Sequence, residues 1–277
     1  MIYAFSSYLD TMSEHWDALV LNDYEAVMPL TWKKKYRIHY LYQPAFTACL
    51  GVFGKQIDAG MLNAFLRAVP AKFKYWDIYF NYGNFFSLQD FKLYERSNYV
   101  LNLNDRYEML SGNYRENIKR NIRKSEQLDL VIKRNIPVVE VIALAKEQGK
   151  RFSAPVAKDY KRFENLYSLL YKKEKATAYG VFTGQNELIS AAVFFFSQQR
   201  AYYILAANHP NGKTLGASHA LINSFIKDNA GNDLVLDFEG SDISSLAFFY
   251  SSFGAKEEKY CGIKLNKLPA VVKWMKK

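Results

Sequence analysis

Residues 188–230, LISAAVFFFSQQRAYYILAANHPNGKTLGASHALINSFIKDNA, decide the fold. The run 188–197 is apolar almost throughout and has strand length, which is how a strand buried on both faces reads. A polar turn, Gln198-Gln199-Arg200, separates it from a second strand at 201–207. A loop with two glycines follows at 209–216, and residues 217–230 have helical spacing. Upstream, 177–183 is a strand joined to 188–197 through Gly184-Gln185-Asn186, so the three make an antiparallel meander. Helices at 138–151 and 159–171 and a short strand at 131–133 precede the meander. A strand at 234–238, a helix at 244–252 and a strand at 259–265 follow the helix.

The first third has the same grammar. Strands are expected at 16–21, 26–30 and 38–42 between turn signals such as Asn22-Asp23. A helix at 60–69 carries Met61, Leu62, Phe65, Leu66 and Val69 on one face and stops at Pro70. A strand at 75–80, a short amphipathic piece at 88–93 and a strand at 99–103 come next. The basic stretch 113–126, NYRENIKRNIRKSE, reads as a helix opened by Asn113 and Glu116 as a capping-box variant. A shift of 160 residues lays Asn63-Ala64-Phe65-Leu66 over Asn223-Ser224-Phe225-Ile226 and Asp77 over Asp237. Both halves then run helix, strand, loop, short helix, strand, as two related halves of an α/β (α+β) chain would.

The 277 residues hold 37 Lys+Arg against 27 Asp+Glu, a net +10, with 49% hydrophobic residues. Such usage belongs to a globular chain, and the surplus calls for an anionic partner: a phosphate-bearing substrate, nucleic acid or a membrane surface. Cys49 and Cys261 stand far apart and without a CxxC, so no disulfide framework or zinc ribbon is expected. His15, His39, His209 and His219 form no HExxH, and no metal site is expected. The start, MIYAFSSYLD, lacks the pattern of a signal peptide, and the longest apolar run is far short of the roughly 20 residues that span a bilayer. The expectation is a cytoplasmic protein without stable membrane insertion.

Three constellations can carry chemistry. Gly212 and Gly216 permit close backbone approach before a helix N-terminus, Lys213 adds charge, and unsatisfied amides there make an anion site; most such loops are nevertheless plain turns. Asp237 and Glu239, two apart on one strand face beside a Gly240-Ser241 turn, offer a general base for an amine; alternatively Asp237 caps the turn and Glu239 pairs with a nearby cation. In the basic helix, Arg120, Arg123 and Lys124 can grip phosphates, or form a solvated face over the Ile118–Ile122 seam.

The hairpin, the glycine loop, the helix, Leu236-Asp237-Phe238-Glu239-Gly240-Ser241 and Phe249-Tyr250-Ser251-Ser252-Phe253-Gly254-Ala255 resemble the C-terminal half of the GNAT acyltransferase superfamily. The nearer likeness is the FemAB-like branch, peptidyltransferases of peptidoglycan bridges, whose basic helix between tandem GNAT folds is similar to Lys119–Lys124. The resemblance implies an N-terminal degenerate GNAT-like lobe at 1–110 and an acyltransferase lobe at 111–277, each a mixed, largely antiparallel sheet flanked by helices. It implies that Gly212, Leu215, Gly216, Ala217 and Ser218 hold the donor's pyrophosphate. The family's Phe-Lys-x-x-Phe-Gly reads here with Tyr250 in the lysine's place, so a phenol stands where a cation would.

The implied activity is transfer of an acyl or aminoacyl group to an amine of a small-molecule or cell-wall-precursor substrate. Acyl-CoA or aminoacyl-tRNA is the co-substrate, with no permanently bound cofactor. Glu239 and Tyr250 are candidate base and acid, with Asp237 beside them, and strand amides of Ala206, Ala207 and Asn208 would face the oxyanion. The alternative is a module without catalysis that binds RNA or another polyanion.

Overall fold

The computed structural model describes residues 1–149, 155–240 and 242–268 and leaves out the side chain of Lys213. In chain order the elements are α1 Ser6–Met12, β1 His15–Leu21, β2 Ala26–Lys35, β3 Ile38–Tyr42, β4 Phe53–Gly54, α2 Ala59–Ala68, β5 Phe73–Tyr79 and β6 Tyr94–Asn102. There follow α3 Tyr107–Gly112, α4 Glu116–Gln127, β7 Val131–Arg134, α5 Val138–Gly149, α6 Ala157–Tyr171 and β8 Ala176–Phe182. The chain continues through β9 Leu188–Ser197, β10 Arg200–Asn208, α7 Pro210–Thr214, α8 Ala217–Asn229, β11 Val235–Asp237, α9 Ser244–Ser251 and β12 Lys256–Asn266.

Local chemistry explains most of these. Asp58 caps α2 by accepting from the Met61 N–H at 2.7 Å, and Leu62, Phe65 and Leu66 of its apolar face are buried. The β9–β10 hairpin turns on Gln198 and Gln199 alone, both left-handed (φ +48° and +57°), as a two-residue hairpin on a right-twisted pair requires. Arg200 thus opens β10 instead of sitting in the turn. The stretch 88–93 is not helical: Asp90 pairs with Arg67 and accepts from Asn63 of α2, which ties the segment down as a loop while Leu88, Phe91 and Leu93 pack inward. Asn113 does not cap the basic helix. It ends α3, and Arg115 takes the N-cap position of α4 without a side-chain cap.

Contacts among the described residues group 3–97 with 258–268, and 98–257 with 1–2, rather than dividing the chain at 110. In the first unit β1, β2 and β3 form an antiparallel meander, β5 lies parallel to β3, and β12 lies antiparallel to β5. In the second, β7, β8, β9 and β10 run antiparallel, β11 lies parallel to β10, and β6 lies antiparallel to β11. Each unit has its own core, one around Leu62, Trp76, Phe80 and Ile263, the other around Phe194, Phe225, Phe238 and Phe253.

The 160-residue repeat holds down to the register. Tyr40, Leu41 and Tyr42 face Tyr75, Trp76 and Asp77; Arg200, Ala201 and Tyr202 face Val235, Leu236 and Asp237. The closing strands agree as well, since Asn266 and Leu265 face Tyr75 and Trp76 as Asn102 and Leu101 face Val235 and Leu236. Each half of the chain therefore supplies the closing strand of the unit built mainly from the other half, which is why 258–268 and 98–110 fall outside the expected lobes.

Candidate active site

β10 pairs with β11 only over Arg200–Tyr202, then runs on to Asn208 alongside β9 while β11 ends at Asp237. A bulge between Tyr203 and Leu205 bends β10 where the two parallel strands part. A bulge re-aims side chains, and here Tyr203 and Ala206 both meet the core shared with Phe238 and Tyr250. The parting opens the edge of β10 beside the turn that leaves β11.

That turn is bound from several sides. The Asp237 side chain is 4% exposed and its Oδ2 takes the Arg200 Nε–H at 2.6 Å. Its Oδ1 accepts from Asn98 Nδ2 and from the Glu239 N–H, both at 2.9 Å, while Asn98 Oδ1 accepts from the Gly240 N–H at 2.6 Å. The chain at Glu239 and Gly240 is left-handed, φ +64° and +85°. Such a conformation costs a non-glycine residue about 1 kcal/mol and persists where its surroundings over-determine it. Asp237 and Glu239 accordingly do not share a strand face: the strand stops at Asp237, whose carboxylate is spent on the scaffold of the turn, and Glu239 is aimed by the turn instead. Ser241 lies outside the described residues.

Tyr250, on α9, is buried against Phe238 with ring centroids 4.5 Å apart and nearly parallel, and Tyr99 and Tyr203 lie at 6.5 and 6.4 Å. Burial, followed by the nearby Glu239 charge, pushes its phenol up to about 12, and burial pushes Tyr203 up as well. Tyr250 therefore keeps its proton at neutral pH and can donate. Glu239 and Tyr250, named together from sequence, are within electrostatic reach of each other.

Of the three amides expected to face an oxyanion, one remains. His209 donates its N–H to the Ile189 carbonyl, so by strand alternation Ala207 also points at β9. Asn208 points the other way, but its N–H donates to Gln148 Oε1 at 2.7 Å. Ala206 points toward the parted edge.

The glycine loop is less open than expected. Residues 210–214 form the short helix α7, and Gly212 is required by packing, because a Cβ there would collide with the Ile189 carbonyl oxygen. Gly216 is left-handed (φ +74°) at the N-cap of α8, and a Cβ would come 2.6 Å from the Asn121 carbonyl oxygen of α4. Leu215 packs on the core and Ala217 is fully buried, so their side chains serve structure, while the first turn of α8 carries no side-chain cap and keeps its amides as donors. Ser218 is half-buried there, and the Lys213 side chain lies outside the described residues. Arg120, Arg123 and Lys124 are exposed on α4. Lys124, three residues on from Asn121, shares its side of the helix toward α8; Arg123 is on the far side.

Sequence reasoning missed Asn98, Arg200 and His219. His219, in the first turn of α8, lies edge-on to Phe249 at 4.9 Å, with a buried Nδ1 that has no hydrogen-bond partner. Burial lowers its pKa to about 4 from an ordinary 6.5. Between these values the unfolded chain takes up a proton that the folded chain refuses, so stability falls as pH drops from 6.5 toward 4, by up to about 1.4 kcal/mol per pH unit. His219→Asn is expected to flatten this decline in urea unfolding at pH 7 and pH 5; equal declines in variant and parent would refute it. Among the described residues, no group of three or more His, Cys, Asp and Glu side chains is placed to hold a metal.

A parallel strand pair closed by an antiparallel strand, repeated in register in both units, is a tandem GNAT-like fold. Solved structures bear this out. FemX is 13% identical with a TM-score of 0.66, covering 100% of this chain and 95% of that one. L-PGS from Bacillus licheniformis is 12% identical with a TM-score of 0.55, covering 94% and 87%. A conserved protein of unknown function from Bacteroides thetaiotaomicron is 12% identical with a TM-score of 0.58, covering 94% and 90%. No family model and no curated protein matches the sequence. No helix among the described residues is long and apolar enough to cross a membrane.

Proposed function

We propose that the chain is an N-acyltransferase or aminoacyltransferase that moves an acyl group from a phosphate-bearing donor, acyl-CoA or aminoacyl-tRNA, to an amine, with a cell-envelope precursor as candidate acceptor. The observation that carries this reading is that Tyr250, buried on Phe238, lies within electrostatic reach of Glu239 in the turn that leaves β11, beside the strand edge that opens where β10 and β11 part. Glu239 takes one proton of the acceptor ammonium; the freed amine attacks the acyl carbonyl, and the Ala206 N–H donates to the oxyanion; as the intermediate collapses the bond to the thiolate or ribose oxygen breaks, Tyr250 hydrogen-bonds that departing atom, and it takes the second proton given up by the attacking nitrogen. The first-turn amides of α8 would take the donor's phosphates. No metal or covalent intermediate enters this scheme.

A thermal-shift titration tests it with coenzyme A, acyl-CoAs and a stable mimic of an aminoacyl-tRNA 3′ end. A ligand at a hundredfold its Kd adds about 2.7 kcal/mol, which at this chain length raises Tm by several degrees. No shift with any of these donors, together with salt-sensitive binding to unrelated RNAs, would replace the enzyme with a polyanion-binding module.

A further inference from the structure

We infer that α9 and α4 together form a docking surface for an anionic lipid bilayer. In and beside the eight-residue α9, Ile243, Leu246 and Phe248 are 61%, 39% and 53% exposed. Soluble chains leave single apolar side chains in water without consequence, but three within six residues are a patch. The Arg115 guanidinium, at the N-cap of α4, lies over the Phe248 ring at 4.9 Å and joins this patch to the basic helix. Arg120, Arg123 and Lys124 are exposed further along α4, and residues 113–135 keep a local +4 after Glu116, Glu126 and Asp129 are counted; Asp242 flanks the apolar trio.

Apolar side chains beside cations are what an anionic interface takes up: the former enter the headgroup and acyl boundary, and the latter stay with the phosphates. An RNA would use the cations and stack on Phe248, but it gains nothing from exposed Ile243 and Leu246. The inference stands whether or not Glu239 and Tyr250 do chemistry.

The test is co-sedimentation of the full chain with vesicles of phosphatidylcholine alone and with phosphatidylglycerol or phosphatidylserine added. The chain is expected to bind both anionic kinds alike and the neutral kind weakly. Arg120→Gln, Arg123→Gln and Lys124→Gln combined should weaken anionic binding about a hundredfold, near fivefold per cation. Ile243→Ser, Leu246→Ser and Phe248→Ser combined should weaken it at least about tenfold. All six side chains are exposed, and unchanged urea midpoints check folding; if the apolar triple fails to fold, the charge variant decides. Glu239→Gln should leave vesicle binding unaltered, which separates this surface from the proposed chemistry. Equal binding to neutral vesicles, full anionic affinity in either triple variant, or RNA binding without vesicle binding would overturn the inference.

Discussion

Glu239→Gln is expected to lower kcat/KM for acyl transfer about 10²–10⁴-fold, the range that a positioned proton acceptor contributes. Glutamine fits the same left-handed turn as glutamate and still accepts hydrogen bonds, so the urea midpoint should hardly move. Tyr250→Phe should lower kcat with little change in KM, because its hydrogen bond strengthens only as the leaving group gains charge. A second readout needs no substrate. The Glu239 charge helps to hold the Tyr250 phenol near 12, so neutralising it should move that titration down, read by isotope-labelled tyrosine NMR. A fall in activity without this shift would mean that Glu239 acts elsewhere than beside Tyr250. A full-rate Glu239→Gln enzyme would remove the base assignment while leaving the fold untouched.

The repeat was legible because its two copies keep their spacing: Tyr42 opposite Asp77 and Tyr202 opposite Asp237 differ by one constant offset. What long-range pairing decides was not. Asn98 is 139 residues from the Asp237 carboxylate it holds, and no local pattern announces such a bond. Period-two alternation put Glu239 on a strand face because it assumes that the strand continues; the buried Asp237 ends it by drawing in the Glu239 N–H. The glycines of 209–216 carry two meanings that look alike in sequence. Gly212 is small to let α7 lie on β9, and Gly216 turns left-handed under α4, whereas a phosphate-binding loop needs glycine for a ligand's approach. Helices as short as α3 and α7 span fewer than two turns, too little for a 3.6-residue period to register.

Arg200→Met should cost about 3–5 kcal/mol, because it leaves the Asp237 carboxylate buried without its cation. The pair is nearly sealed, with side chains 10% and 4% exposed, so water cannot replace the lost partner. Asp237→Asn alone should be damaging for the mirror-image reason, since it sets an amide beside a buried guanidinium. The double variant is different. The amide that Asp237→Asn introduces keeps an oxygen for Asn98 and for the Glu239 N–H, and once Arg200→Met is added no charge is left in the core. Its cost should therefore fall short of the sum of the single costs by about 1–3 kcal/mol in urea unfolding, the coupling that contacting residues show. If the single costs simply add, the pair is not an electrostatic unit and the turn owes its shape to Asn98 alone. If they do not, the double variant should also retain acyl transfer better than Asp237→Ala, because the oxygen that aims Glu239 survives only in the former.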